Sequence, residues 1–99
     1  DGTEAAFRHS SKVLTCSIHH KCPGFFPGSG AVEDAGKGRG ANAAINVPLR
    51  RGLTPDTFRY VWARVGPLCR NWAAGSDAAV VVQVGADCLA GDPRGAFRL

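Results

Sequence analysis

Three groups of residues in this 99-residue chain have types and spacings that could do chemistry. The first is Asp87, which follows Val80-Val81-Val82-Gln83-Val84 and the slim pair Gly85-Ala86. Four valines in five positions leave no polar face, which predicts a strand covered on both sides, as in a parallel sheet. Ligands of open parallel sheets gather just beyond the carboxyl ends of the strands. Asp87 is the first charge delivered there, and such a carboxylate can bind a metal or serve as a base. It can equally cap a following segment. The second group is Cys16-x2-His19-x2-Cys22, which by residue type is half of a structural zinc site. No second Cys or His pair lies at a matching spacing, and alternation along a strand sends Cys16 and His19 to opposite faces. The third is Gly36-Lys37-Gly38-Arg39-Gly40. It lacks P-loop spacing, leads into no helix and has no stacking aromatics nearby, so a mobile loop describes it better than a phosphate or nucleic-acid site.

The elements that must position these groups follow from hydrophobic patterning. Val13 to His19 predicts a strand, with Val13, Leu14, Cys16 and Ile18 among small polar residues. A long loop from His20 to about Ala41 carries Gly24, Gly28, Gly30, Gly36, Gly38 and Gly40, too many glycines for a regular element. Ala44 to Pro48 predicts a second short strand, ended by a proline that cannot donate to a ladder. The clearest element is a helix from about Pro55 to Ala74. Thr54 suits its N-cap, Pro55 the first helical position and Asp56 the positive helix end. Phe58, Val61, Trp62, Val65, Leu68, Cys69 and Trp72 form one stripe at three- and four-residue spacing. Gly66-Pro67 should kink or divide this helix, and Gly75 should stop it. Strand, helix and valine strand then make a right-handed crossover unit.

Composition bounds the reading. Ninety-nine residues allow at most one small domain. Twelve basic against eight acidic side chains give +4, a mild and dispersed charge that identifies no partner by itself. Cys16, Cys22, Cys69 and Cys88 could form two disulfides in a secreted chain. No signal peptide is visible and Cys69 lies in a helical pattern, so free thiols in a reducing compartment are expected. No apolar run approaches the roughly 20 residues that span a bilayer. One convincing helix is too little to cover both faces of a parallel sheet, so the chain is expected to be a piece of a larger α/β domain, truncated at both ends.

Gln83-Val84-Gly85-Ala86-Asp87-Cys88-Leu89-Ala90-Gly91-Asp92-Pro93 resembles the segment of class I histone deacetylases that carries a zinc-binding aspartate. Ser17-Ile18-His19 with Pro23-Gly24-Phe25-Phe26-Pro27-Gly28-Ser29-Gly30 resembles the loop that walls their acetyl-lysine tunnel. Gly36-Lys37-Gly38-Arg39-Gly40 with Asn46-Val47-Pro48, and the opening Asp1-Gly2-Thr3-Glu4-Ala5-Ala6-Phe7, match in family order. The likeness runs along essentially the whole chain, and Pro-Gly-Phe-Phe-Pro-Gly with Gly-Asp-Pro leans toward the deacetylase-8-like branch.

The resemblance implies a parallel-sheet, three-layer α/β fold of the arginase/deacetylase type. It implies hydrolysis of the acetamide of acetyl-lysine by a zinc enzyme, with Asp87 as one zinc ligand and the other two ligands upstream of Asp1. Asp1 corresponds to an aspartate that orients an active-site histidine absent from this chain; without the family, it is a solvated charge. Gly24 and Phe26 would form the tunnel wall, although a Phe-Phe pair can also anchor a loop. Arg94 stands beside the substrate channel where an apolar residue is usual. Ser17 and Ile18 would hold one potassium ion, and Phe7, Ser10, Val13 and Ala43 a second, mainly through main-chain oxygens. The implied partners are acetylated histone tails or other acetyl-lysine proteins and possible corepressor subunits, in the nucleus and possibly the cytoplasm, with no direct nucleic acid and no membrane. Two alternatives stand beside this reading: a deacetylase for small substrates such as acetylpolyamines, and a non-catalytic remnant or interaction module.

Overall fold

Two strands form the sheet: β1 (Thr15–His20) and β2 (Ala44–Leu49). They run parallel with Thr15 opposite Ala44 and His20 opposite Leu49, in a computed structural model that describes residues 1–99. Alternation sorts their side chains. One face carries Ser17, His19, Ala44 and Asn46, and there Ala44 and Asn46 are buried. The opposite, more apolar face carries Ile18, Ile45, Val47 and Leu49, all only half-buried. A short helix, α1 (Gly2–Phe7), precedes β1. Asp1 caps it, accepting the Gly2 N–H at 2.6 Å, and Glu4 lies in its first turn. Asp1 is therefore a helix cap.

The structure divides into two units, Asp1–Arg50 and Arg51–Leu99. The second contains α2 (Pro55–Ala73). Thr54 caps it through its hydroxyl, which accepts the Thr57 N–H at 3.4 Å, and Gly75 follows its end with φ of +79°. Caps of this kind contribute about 1 kcal/mol. Gly66-Pro67 does not divide the helix, which runs through both residues. Trp62 lies across Gly66, its indole 3.2 Å from where a Cβ would stand, so the glycine leaves room for a ring one turn earlier. Of the expected stripe, Val65 is buried, while Trp62, Leu68 and Trp72 remain exposed.

The valine segment departs most from expectation. Residues 80–84 form no strand, and Val81 is 94% exposed. A doubly buried strand needs a hydrogen-bonded neighbour and a layer on each face. The two strands present pair with each other, and neither pairs with this segment. The expected crossover unit is consequently not formed. The segment beyond it is nonetheless fastened by backbone bonds: Gly52 N–H to Ala96 O (2.7 Å), Arg98 N–H to Leu53 O (2.8 Å), Leu99 N–H to Cys88 O (3.1 Å) and Ala90 N–H to Leu99 O (3.0 Å). Leu53, Ala96 and Phe97 are buried along this seam.

Candidate functional site

Asp87 sits in a single 3-10 turn, Ala86–Cys88. The Cys88 N–H reaches Gly85 O at 3.2 Å, and the Leu89 N–H reaches Ala86 O at 3.1 Å. Two glycines approach the turn closely. A Cβ on Gly95 would collide with the Asp87 carbonyl, and a Cβ on Gly85 would collide with the Asp87 carboxylate. The carboxylate itself is exposed. Burial pushes the neighbouring Cys88 thiol up from its ordinary pKa, and the Asp87 charge pushes it in the same direction. Arg94 lies on the same loop, exposed, with its backbone N–H on Asp92 Oδ1 at 2.8 Å. Asp87 and Arg94 thus belong to one loop, braced by the close approach of Gly95 to the Asp87 carbonyl.

The loop after β1 presents Phe26. Lys21 Nζ donates to Gly28 O (2.7 Å) and Ser29 O (3.3 Å), which draws the far end of the loop back to its start. Phe25 packs edge-on against His20, with ring centroids 4.5 Å apart. Its neighbour Phe26 is 85% exposed, so Phe25 anchors the loop and Phe26 does not. Gly24, with φ of +79°, lines an open depression of about 490 Å³ together with Lys21, Cys22, Pro23, Gly28 and Pro48.

A buried polar cluster underlies the same loop. Asn46 Nδ2 donates to Glu4 Oε2 and to Asp34 O, both at 2.9 Å. His19 Nε2 meets Gly30 O at 2.9 Å, and His19 Nδ1 meets Ser17 Oγ at 2.9 Å. The Gly30 carbonyl can only accept, so Nε2 carries the proton, and in the neutral ring Nδ1 accepts from the Ser17 hydroxyl. Gly30, at φ of +73°, is pressed so close that a Cβ would stand 2.6 Å from the His19 ring and 3.1 Å from Asn46 Oδ1. No buried side-chain polar atom is left without a partner. The roles of Glu4, Lys21, Asp34 and Asn46 were not anticipated from sequence. The Asp1-x-x-Glu4 spacing was a legible helix-start signal, and a lone Asn between Ile45 and Val47 was a legible mark of a polar contact under a strand.

The other expected site residues fall in the first unit. Ser17 and Ile18 are on β1, half-buried. Phe7 O accepts the Ser10 N–H at 2.8 Å, Ala43 O accepts the Thr15 N–H at 3.1 Å, and Val13 lies in the irregular stretch just before β1. Each of these two carbonyls thus already accepts one backbone hydrogen bond. The glycine-rich basic segment is not a free loop: Gly38–Gly40 forms a 3-10 turn, and the Lys37 N–H is bound to Arg8 O at 2.9 Å. No three His, Cys, Asp or Glu side chains come together to hold a metal. The Cys16–His19–Cys22 zinc reading fails on this count and because both His19 nitrogens are engaged. Asp87 offers one carboxylate, and one ligand alone does not make a three-ligand zinc site.

The sequence matches the histone deacetylase domain model over residues 1–99. The chain therefore belongs to the histone deacetylase family, and its parallel strands and helices are consistent with that family's α/β fold. It is similar over its whole length to "Histone deacetylase 8" of Xenopus laevis (46% identity, 30% of that protein covered). The same holds for "Histone deacetylase RPD3" of Saccharomyces cerevisiae (46%, 22% covered) and "Histone deacetylase 8" of Danio rerio (44%, 26% covered). The chain thus spans less than a third of the length of these relatives.

Proposed function

We propose that this chain supplies part of the active site of an acetyl-lysine deacetylase acting on histone tails or other acetylated proteins. The observation carrying the proposal is the 46% match to a histone deacetylase over 99 of 99 residues, through both the Phe26 loop and the Asp87 loop. In this reading Phe26 lies along the aliphatic stem of acetyl-lysine, and Gly24 lets the loop approach the substrate closely. Arg94 adds a positive charge beside the substrate and so favours acetyl-lysines with acidic neighbours. Asp1 orients a histidine from elsewhere in the protein. Asp87 is one ligand of a zinc ion whose chemistry, when bound, is polarisation of the substrate carbonyl and activation of water. Asp87 alone does not complete that three-ligand site. Potassium at Ser17 and Ile18, and at Phe7, Ser10, Val13 and Ala43, would brace the loops. Nuclear action, with possible cytoplasmic presence and corepressor partners, belongs to the same proposal.

A chimera tests it. These 99 residues replace the matched segment of the Xenopus laevis relative, and hydrolysis of an acetyl-lysine peptide is measured alongside zinc content. The chimera should deacetylate, and Asp87→Ala should abolish activity and lower bound zinc. A folded chimera without activity, or an Asp87→Ala variant with undiminished zinc and turnover, overturns the proposal. The first outcome would favour a non-catalytic module.

A further inference from the structure

The glycine-rich basic segment lies against the residues that follow α1. Arg39, in the 3-10 turn, faces a second cleft of about 420 Å³ lined also by Ala6, His9, Ser10, Ser11 and Lys12. We propose that this cleft binds a phosphomonoester anion.

Three observations support the assignment. The lining holds three groups able to carry positive charge and two hydroxyls, with no carboxylate among them. None of the three is in an ion pair; the chain's one ion pair joins Arg59 and Asp56 in the other unit. The two walls are also fixed against each other. The Lys37 N–H binds Arg8 O at 2.9 Å, and Gly40 packs so tightly on the backbone of residues 8–10 that a Cβ would stand 2.8 Å from the Ser10 nitrogen. Ser10 Oγ already accepts the Lys12 N–H at 3.2 Å, which leaves its own O–H to donate outward.

The chemistry selects the ligand. Cations held near one another without a counter-charge repel, and an anion between them relieves that repulsion. A guanidinium fork, an ammonium and hydroxyl donors match the oxygens of a compact dianion. A nucleic-acid backbone would need an extended basic track and stacking aromatics, and the lining has no aromatic side chain other than His9.

The test is a titration of the 99-residue chain, followed by amide chemical shifts, at constant ionic strength. The probes are inorganic phosphate, a phosphoserine peptide, its unphosphorylated form and a short DNA duplex. Phosphate should give saturable shifts confined to residues 6–12 and 38–40. The phosphoserine peptide binding more tightly than inorganic phosphate would assign the source to a protein ligand; equal binding would assign it to a small phosphate. Lys12→Gln and Arg39→Gln, both at exposed positions, should each weaken phosphate binding about tenfold or more while the shifts of β1 and β2 stay in place. The proposal is overturned by unsaturable shifts, by indifference to both substitutions, or by duplex binding tighter than phosphomonoester binding.

Discussion

Replacing Asn46 should weaken the first unit far more than its single side-chain amide suggests. Asn46 and Glu4 are 7% and 8% exposed, and the Asn46 amide is the donor that meets the Glu4 carboxylate. Asn46→Ala removes that bond and the one to Asp34 O. A hydrogen bond to a charged group is worth about 1.5 to 3 kcal/mol, and an acceptor left buried without a donor adds a penalty of similar size. The expected loss is at least about 3 kcal/mol, against the roughly 5 to 15 kcal/mol that holds a typical domain. Both tryptophans, Trp62 and Trp72, lie in α2, so their fluorescence reports on the other unit. Amide exchange along β1 is the appropriate readout, and 3 kcal/mol there corresponds to an acceleration of about 100-fold. Glu4→Gln keeps an acceptor and removes the charge, so it should cost about 1 kcal/mol. Combined with Asn46→Ala it should cost clearly less than the sum, because no charge is stranded. An acceleration below threefold for Asn46→Ala, or strict additivity in the double variant, would refute the claim that this cluster holds the loop to the sheet.

Phe26→Ala should leave stability within about 0.5 kcal/mol, since an exposed side chain loses little packing. In the chimera it should impair deacetylation of acetyl-lysine peptides; loss of fold in place of loss of turnover would make Phe26 an anchor. Cys88 gives a pH prediction. Its raised pKa means the protonated thiol is favoured by the folded state, a contribution intact below the unfolded-chain pKa and lost as pH rises through the folded one. The pH curve for iodoacetamide labelling of Cys88 should therefore lie alkaline of that for the urea-unfolded chain. Asp87→Asn should shift it partway back toward acid, because one of the two causes is removed; an unmoved curve would show that burial alone sets the shift.

Local signals carried well where a residue acts on its near neighbours. Thr54-Pro55-Asp56 marked the start of α2, Gly75 marked its end, and both strands of the sheet were legible within two residues. Two kinds of fact were not legible. The Glu4–Asn46 bond joins residues 42 positions apart, and no periodicity encodes it. Periodicity also says which side chains share a face and not whether a neighbour exists to pair, which is why Val80–Val84 patterned as a strand and is not one. The placement of Asp87 was inferred from that strand, so losing the strand ought to undermine it. It does remove the expected position at a strand's carboxyl end; the turn around Asp87 is held by other means, the close fit of Gly95 on the Asp87 carbonyl and the pairing of Leu99 with Cys88 and Ala90. That seam in turn hydrogen-bonds to Gly52 and Leu53, at the entry to α2. The local turn that carries the acid therefore rests on the segment that follows it, and not on the valines before it.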